Sequence, residues 1–144
     1  MTPDRLFSLV NPLALLGWAA LILVPRRAAR LVPVTLAVAL SLLYVVLIAV
    51  ALPGSDGNFS SLAGVRTLFE DPWALLAGWV HYLAFDLFIG GWEVRDAQRR
   101  GIPHLAVIPA LILTFLFGPA GLLTYLAIRT ALRGRTTPMA DALE

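Results

Sequence analysis

The chain contains neither cysteine nor lysine. Without cysteine there can be no disulfide, no thiolate metal site and no cysteine nucleophile. Charge is scarce too: 14% of the 144 residues are charged, against about a quarter in a soluble domain. There are only two histidines, too few for the many-histidine sites of membrane di-iron hydroxylases and desaturases. No serine lies in a Gly-x-Ser-x-Gly context, which argues against a serine nucleophile. No internal repeat is visible. The net charge of +2 is small, and all eleven basic residues are arginine. They sit in short clusters between apolar runs, a pattern of membrane flanks rather than of a nucleic-acid face.

What is present is apolar. Hydrophobic residues make up 59% of the chain, concentrated in segments 6–24, 31–52, 73–92 and 105–128. Each is long enough to cross about 30 Å of hydrocarbon as a helix. The sequence therefore predicts an all-α polytopic membrane protein. It is expected to form one domain over residues 1–144, a bundle of four transmembrane helices. The first segment is followed by Pro25-Arg26-Arg27, where a signal peptide would carry small cleavage-site residues, so it reads as a retained span. The fourth is interrupted by Pro109 and by Gly118-Pro119. It is read as one kinked crossing, with a re-entrant fold at Gly118-Pro119 as the alternative.

The connections set the orientation. Residues 25–30 carry Arg26, Arg27 and Arg30, and residues 93–104 carry Arg95, Arg99 and Arg100. Residues 53–72 carry only Arg66 against Asp56, Glu70 and Asp71. The arginine bias puts the first and third connections in the cytoplasm and both termini opposite. Arg129, Arg133 and Arg135 in the tail conflict with this, and the re-entrant alternative removes the conflict. Within the second connection, Leu62, Val65, Leu68 and Phe69 recur at helical spacing, which predicts a short helix on the membrane surface.

The third segment contains Trp79-Val80-His81-Tyr82-Leu83-Ala84-Phe85-Asp86-Leu87-Phe88. Ionisable residues at membrane depth are costly and usually mark a site. At about 100° per residue, Glu93 falls close to the direction of Asp86, with Tyr82 one turn earlier. Phe85, Trp92, Asp96 and His81 follow round the same side, His81 at its far edge. Leu83, Ala84 and Leu87 lie towards the other. His81 and Asp86 are the candidate catalytic acid–base pair. Tyr82 and Glu93 are supporting groups. Phe85, Trp92, Asp96, His104, Phe115 and Phe117 are candidate ligand-binding residues around one elongated apolar pocket. The structural alternative is that these polar groups join helices by hydrogen bonds; for the carboxylates a site is the better reading. Asp86, Glu93, Asp96, His81 and His104 are also metal-ligand types. However, Glu93-Val94-Arg95-Asp96 matches a Glu-x-x-His motif only with the histidine replaced. A metal site is not favoured, and no cofactor is expected.

One further pattern is family-like. It runs through Gly78-Trp79-Val80-His81-Tyr82-Leu83-Ala84-Phe85-Asp86-Leu87-Phe88-Ile89-Gly90 and Trp92-Glu93, then Asp96 and Gly101-Ile102-Pro103-His104. It ends in Leu113-Thr114-Phe115-Leu116-Phe117-Gly118-Pro119-Ala120-Gly121. In these stretches the chain resembles the abscisic-acid-deficient-four-type membrane family, whose plant members are implicated in neoxanthin formation. The resemblance implies work on a carotenoid or related isoprenoid: an epoxide opens and an allene forms without net redox change. Such an isomerase needs an acid for the epoxide oxygen and a base for a polyene proton. The expected partners are the lipid bilayer, a hydrophobic carotenoid or isoprenoid ligand and carotenoid-pathway enzymes, and no nucleic acid. Arginine-only basic usage and abundant alanine point to a GC-rich bacterial genome, hence a bacterial inner membrane. The alternatives are a non-catalytic carotenoid-binding or enzyme-scaffolding protein and a small transporter.

Overall fold

A computed structural model describes residues 2–24 and 31–132, and these are helical apart from their connections. Six helices follow in order: α1 (Pro3–Leu23), α2 (Leu31–Ala51), α3 (Leu62–Glu70), α4 (Pro72–Arg99), α5 (His104–Phe117) and α6 (Pro119–Leu132). Three of them, α1, α2 and α4, are long and apolar enough to cross a membrane. The arginines at 26, 27, 30, 133 and 135 lie outside the described residues.

Helix starts follow local chemistry. Thr2 caps α1 ahead of Pro3, and Ser61 caps α3 through the Gly64 amide. Asp71 Oδ1 accepts from the Trp73 and Ala74 amides, both at 2.9 Å, with Pro72 at the first turn of α4. Each cap satisfies amides that have no partner inside the helix. The amphipathic α3 forms where its apolar spacing predicted it.

Helix α4 is longer than the apolar run that marked it. It continues past Trp92 to Arg99, because Glu93, Val94 and Ala97 are buried against neighbouring helices. It ends in a Schellman motif: the Ile102 amide donates to the Ala97 carbonyl at 2.9 Å and the Gly101 amide to Gln98. Gly101 supplies the required positive φ of 68°, a conformation that carries no side-chain clash in glycine. Most of the connection predicted over 93–104 is therefore helix.

The fourth apolar segment does not make one crossing. Its chain breaks at Gly118, φ 45° and ψ −96°, and turns back as a hairpin of two 14-residue helices. Each is about 21 Å long, short of the roughly 30 Å of hydrocarbon. Five contacts fix the arrangement. Gly118 lies against Asp86, halfway along α4, and Tyr82 OH bonds the Phe115 carbonyl just before the break. Beyond it, Tyr125 and Arg129 return to Asp96 near the arginine-rich end of α4. At that same end His104 Nε2 lies 3.0 Å from the Ile22 carbonyl near the end of α1, with the ring nitrogen donating. The four-span expectation thus gives way to three candidate spans and a half-depth hairpin. The physical reason is the Gly-Pro pair: proline cannot donate to the preceding turn, and Gly118 occupies a backbone conformation closed to other residues.

The hairpin also bears on the charge conflict. It puts Arg129 on the side of Arg99 and Arg100, which removes that residue's part of the conflict. Two single cysteines can test this in a cysteine-free chain. Asp56→Cys is expected to react with a membrane-impermeant thiol reagent in intact cells. Ala131→Cys is expected to react only after permeabilisation. Labelling of both from outside would require a fourth crossing.

Helix α4 is the centre of the packing. Trp18, Leu21, Leu87, Val94, Val107, Leu111 and Tyr125 fill the core towards the arginine-rich end. Val10, Ala14, Leu40, Leu47, Leu76, Val80 and Leu83 fill it towards the other.

Candidate functional site

The α4 face towards the hairpin carries Tyr82, Asp86, Glu93 and Asp96, as their helical spacing predicts. Asp86 is half-buried at the hairpin tip. A Cβ on Gly118 would stand 2.9 Å from Asp86 Oδ1 and 3.2 Å from Oδ2, so only glycine lets the tip approach this carboxylate. Asp86 Oδ2 is buried without a hydrogen-bond partner. Tyr82, one turn earlier, stands beside Asp86. Its hydroxyl donates to the Phe115 carbonyl at 2.8 Å, a backbone group left open where α5 ends. With its only proton committed there, Tyr82 can offer Asp86 an acceptor.

Glu93 lies two turns further along and is fully buried. Thr114 Oγ1 donates to its Oε1 at 2.9 Å, while Oε2 has no partner. Sequence reasoning gave Thr114 no role of its own; a hydroxyl inside an otherwise apolar run was the available signal. Asp96 is saturated instead. Its Oδ2 accepts from Tyr125 OH at 2.7 Å and Arg100 Nε at 2.8 Å, with Arg129 Nη1 at 3.5 Å. Asp96 is thus a structural clamp joining α6 to α4, and Arg129 is a partner that the sequence did not reveal.

The structure does not bring His81 and Asp86 together. Five residues separate them, about 140° round the helix. His81 is exposed on the α2 side, stacked on Phe85 at 4.7 Å and edge-on to Tyr44 at 5.1 Å. The aromatic set is likewise divided. Phe115 packs on Trp18 at 5.5 Å, Trp92 meets Tyr125 at 5.4 Å, and Phe85 and Phe117 are 58% and 63% exposed. No single elongated pocket joins them. His104 holds the end of α1 through the Ile22 carbonyl, far along the fold from Asp86. Among the described residues, no group of three or more His, Cys, Asp or Glu side chains is placed to hold a metal ion.

The hollow on the Tyr82 side lies between α1, α4 and the end of α5. It measures about 320 Å³ and is lined by Asn11, Ala14, Leu15, Trp79, Tyr82, Leu83, Phe115 and Leu116. Its polar groups are mostly engaged: Trp79 Nε1 donates to Asn11 Oδ1 at 2.9 Å. The result is an apolar hollow beside Tyr82, with Asp86 one turn deeper at the hairpin tip. Such a place can admit a lipophilic ring.

No curated protein and no solved structure matches the chain. A family model described as ABA DEFICIENT 4-like matches residues 5–125, which takes in α1 to α5 and α6 as far as the Tyr125 that clamps it. With its His81–Phe88 core and its Gly118–Gly121 hairpin turn inside that match, the chain belongs to the ABA DEFICIENT 4-like family.

Proposed function

We propose that this membrane protein isomerises an oxygenated carotenoid or related isoprenoid at Asp86, by epoxide opening. The observation that carries the reading is the buried, unpartnered Asp86 Oδ2 at the hairpin tip, beside the apolar hollow that Tyr82 lines. A single carboxylic acid can balance the reaction. It gives its proton to the epoxide oxygen as the adjacent C–O bond breaks. The carboxylate then takes a proton from the neighbouring chain carbon, whose electrons form the new double bond. The acid is restored, one hydroxyl replaces the epoxide, and no oxidant or cofactor is needed. Tyr82 positions Asp86, with its own hydroxyl held by Phe115. His81, on the α2 side, is outside this step. The hollow takes an end ring, while the remaining chain lies in lipid. The protein is assigned to a bacterial inner membrane with its arginine-rich end in the cytoplasm, where carotenoid-pathway enzymes would supply the substrate.

The test is expression in a host that makes an epoxy-carotenoid. The expected product has the mass of its substrate, a hydroxyl in place of the epoxide and a new allene, detected by a changed retention time and the allene infrared stretch. A product of altered mass, or an unchanged pigment profile with well-expressed protein, rejects the isomerisation.

A further inference from the structure

The flank of α4 that faces α2 carries a second feature, which the Asp86 chemistry leaves unused. Two adjoining hollows of about 330 and 280 Å³ lie along it. Phe85 lines the first and stacks on His81, which lines the second. Taken end to end across the Phe85–His81 stack as one furrow, they run from Phe88 and Val38, past His81 and Tyr44, to Gly78 and to Phe69 of α3. From Phe88 to its far end the furrow runs about 20 Å along the α4 axis.

Its walls are apolar except at one place. Ser41 Oγ is satisfied by the Ala37 carbonyl at 2.8 Å. His81 meets Tyr44 edge-on and stacks on Phe85, ring against ring. Neither the imidazole nitrogens nor the Tyr44 hydroxyl has a hydrogen-bond partner among the described residues. Both side chains lie inside helices long and apolar enough to cross a membrane. An unsatisfied polar group facing hydrocarbon is costly. A neutral imidazole offers one donor and one acceptor, and a phenol offers both. A phospholipid acyl chain supplies neither, whereas an alcohol supplies both from one atom.

We propose that this furrow binds a linear lipophilic alcohol, its hydroxyl between His81 and Tyr44 and its chain along Phe85 and Phe88. The site is separate from Asp86 and does not depend on the reading of that residue. It gives His81 and the exposed aromatics of this flank a shared role in recognition.

The test uses the full chain in nanodiscs with radiolabelled geranylgeraniol and, in parallel, its acetate ester, which lacks the hydroxyl donor. Saturable binding of the alcohol is expected, at least ~10-fold tighter than the ester. His81→Phe combined with Tyr44→Phe should bring the two probes to equal affinity without weakening ester binding. Val38→Trp should fill the furrow and remove saturable binding of both. Leu116→Trp, in the hollow near Asp86, should remove neither. The proposal is overturned by equal wild-type binding of the two probes, which marks a passive lipid furrow. A preference that survives both substitutions, or binding lost in Leu116→Trp and kept in Val38→Trp, also overturns it.

Discussion

Asp86→Asn is expected to lower isomer formation by at least ~100-fold, the lower range of what a positioned acid–base group contributes. The amide keeps the planar shape and volume of the carboxyl and cannot carry the proton. The substituted group stands where Asp86 Oδ2 has no hydrogen bond to lose and where Gly118 leaves room at the tip. Pigment conversion should therefore collapse while the thermal unfolding midpoint in detergent changes little. Tyr82→Phe should act more weakly, since it releases the Phe115 carbonyl and alters the position of Asp86 without removing the proton carrier. Leu87→Ala is not a neutral control: Leu87 is fully buried against Gly17, and truncating such a leucine costs about 2–5 kcal/mol. Wild-type conversion rates in well-folded Asp86→Asn would end the acid–base role.

Gly121→Leu is expected to prevent the hairpin from closing. A Cβ at this position falls on the Thr114 backbone nitrogen and Oγ1. The obstacle is the backbone of α5, which cannot rotate aside as a side chain can. Close backbone approach through small residues is a common device of membrane helix pairs. Even Gly121→Ala should cost about 1–3 kcal/mol by overpacking, and leucine more, against a total stability on the order of 5–15 kcal/mol. The displaced Thr114 would also release Glu93 Oε1, adding a second buried carboxylate oxygen without a partner. Gly91→Ala supplies the contrast. Its Cβ would meet only Arg95 Nη1, at 3.7 Å. Removing a mid-helix glycine should then raise the unfolding midpoint, by an amount matching up to ~1 kcal/mol. A Gly121→Leu protein that unfolds at the wild-type temperature would show that α5 and α6 do not pack as described.

The helical class, three membrane-length helices and the small α3 were legible in the sequence because each rests on local pattern. Uncharged runs have the length of a membrane crossing, and caps such as Asp71-Pro72 mark their starts. The end of α4 was not legible. Glu93 and Asp96 resemble loop residues until Thr114, Tyr125 and Arg129, distant in sequence, come to meet them. The α4 wheel shows a polar side and an apolar side, and Leu83, Ala84 and Leu87 on the apolar side are buried as well. As the central helix it has no idle face, and periodicity cannot distinguish lipid from protein as the apolar neighbour. The same ambiguity affected the fourth segment. Composition fits one kinked crossing and a folded hairpin equally well, and the choice rests on the φ of Gly118 and the fit of Gly121 to Thr114. Within the candidate site, the Tyr82–Asp86–Glu93 stripe followed from helical geometry. The separation of His81 from it depended on where α2 and the hairpin pack, which the α4 sequence does not encode.

Because α5 and α6 stop at the level of Asp86, the two leaflets meet different proteins. On the arginine side the hairpin covers this face of α4 and is held to it by the Asp96 clamp. On the other side of the Gly118 tip, Tyr82, Trp79 and Leu116 line a hollow together with Asn11, Ala14 and Leu15 of α1. A molecule dissolved in the leaflet on that side can approach the tip by lateral diffusion without entering water. One confined to the arginine-side leaflet must first cross the bilayer midplane. On the proposed reading of Asp86, the substrate would arrive from the leaflet that holds this hollow, and delivery to the other would limit turnover to the rate of transbilayer exchange.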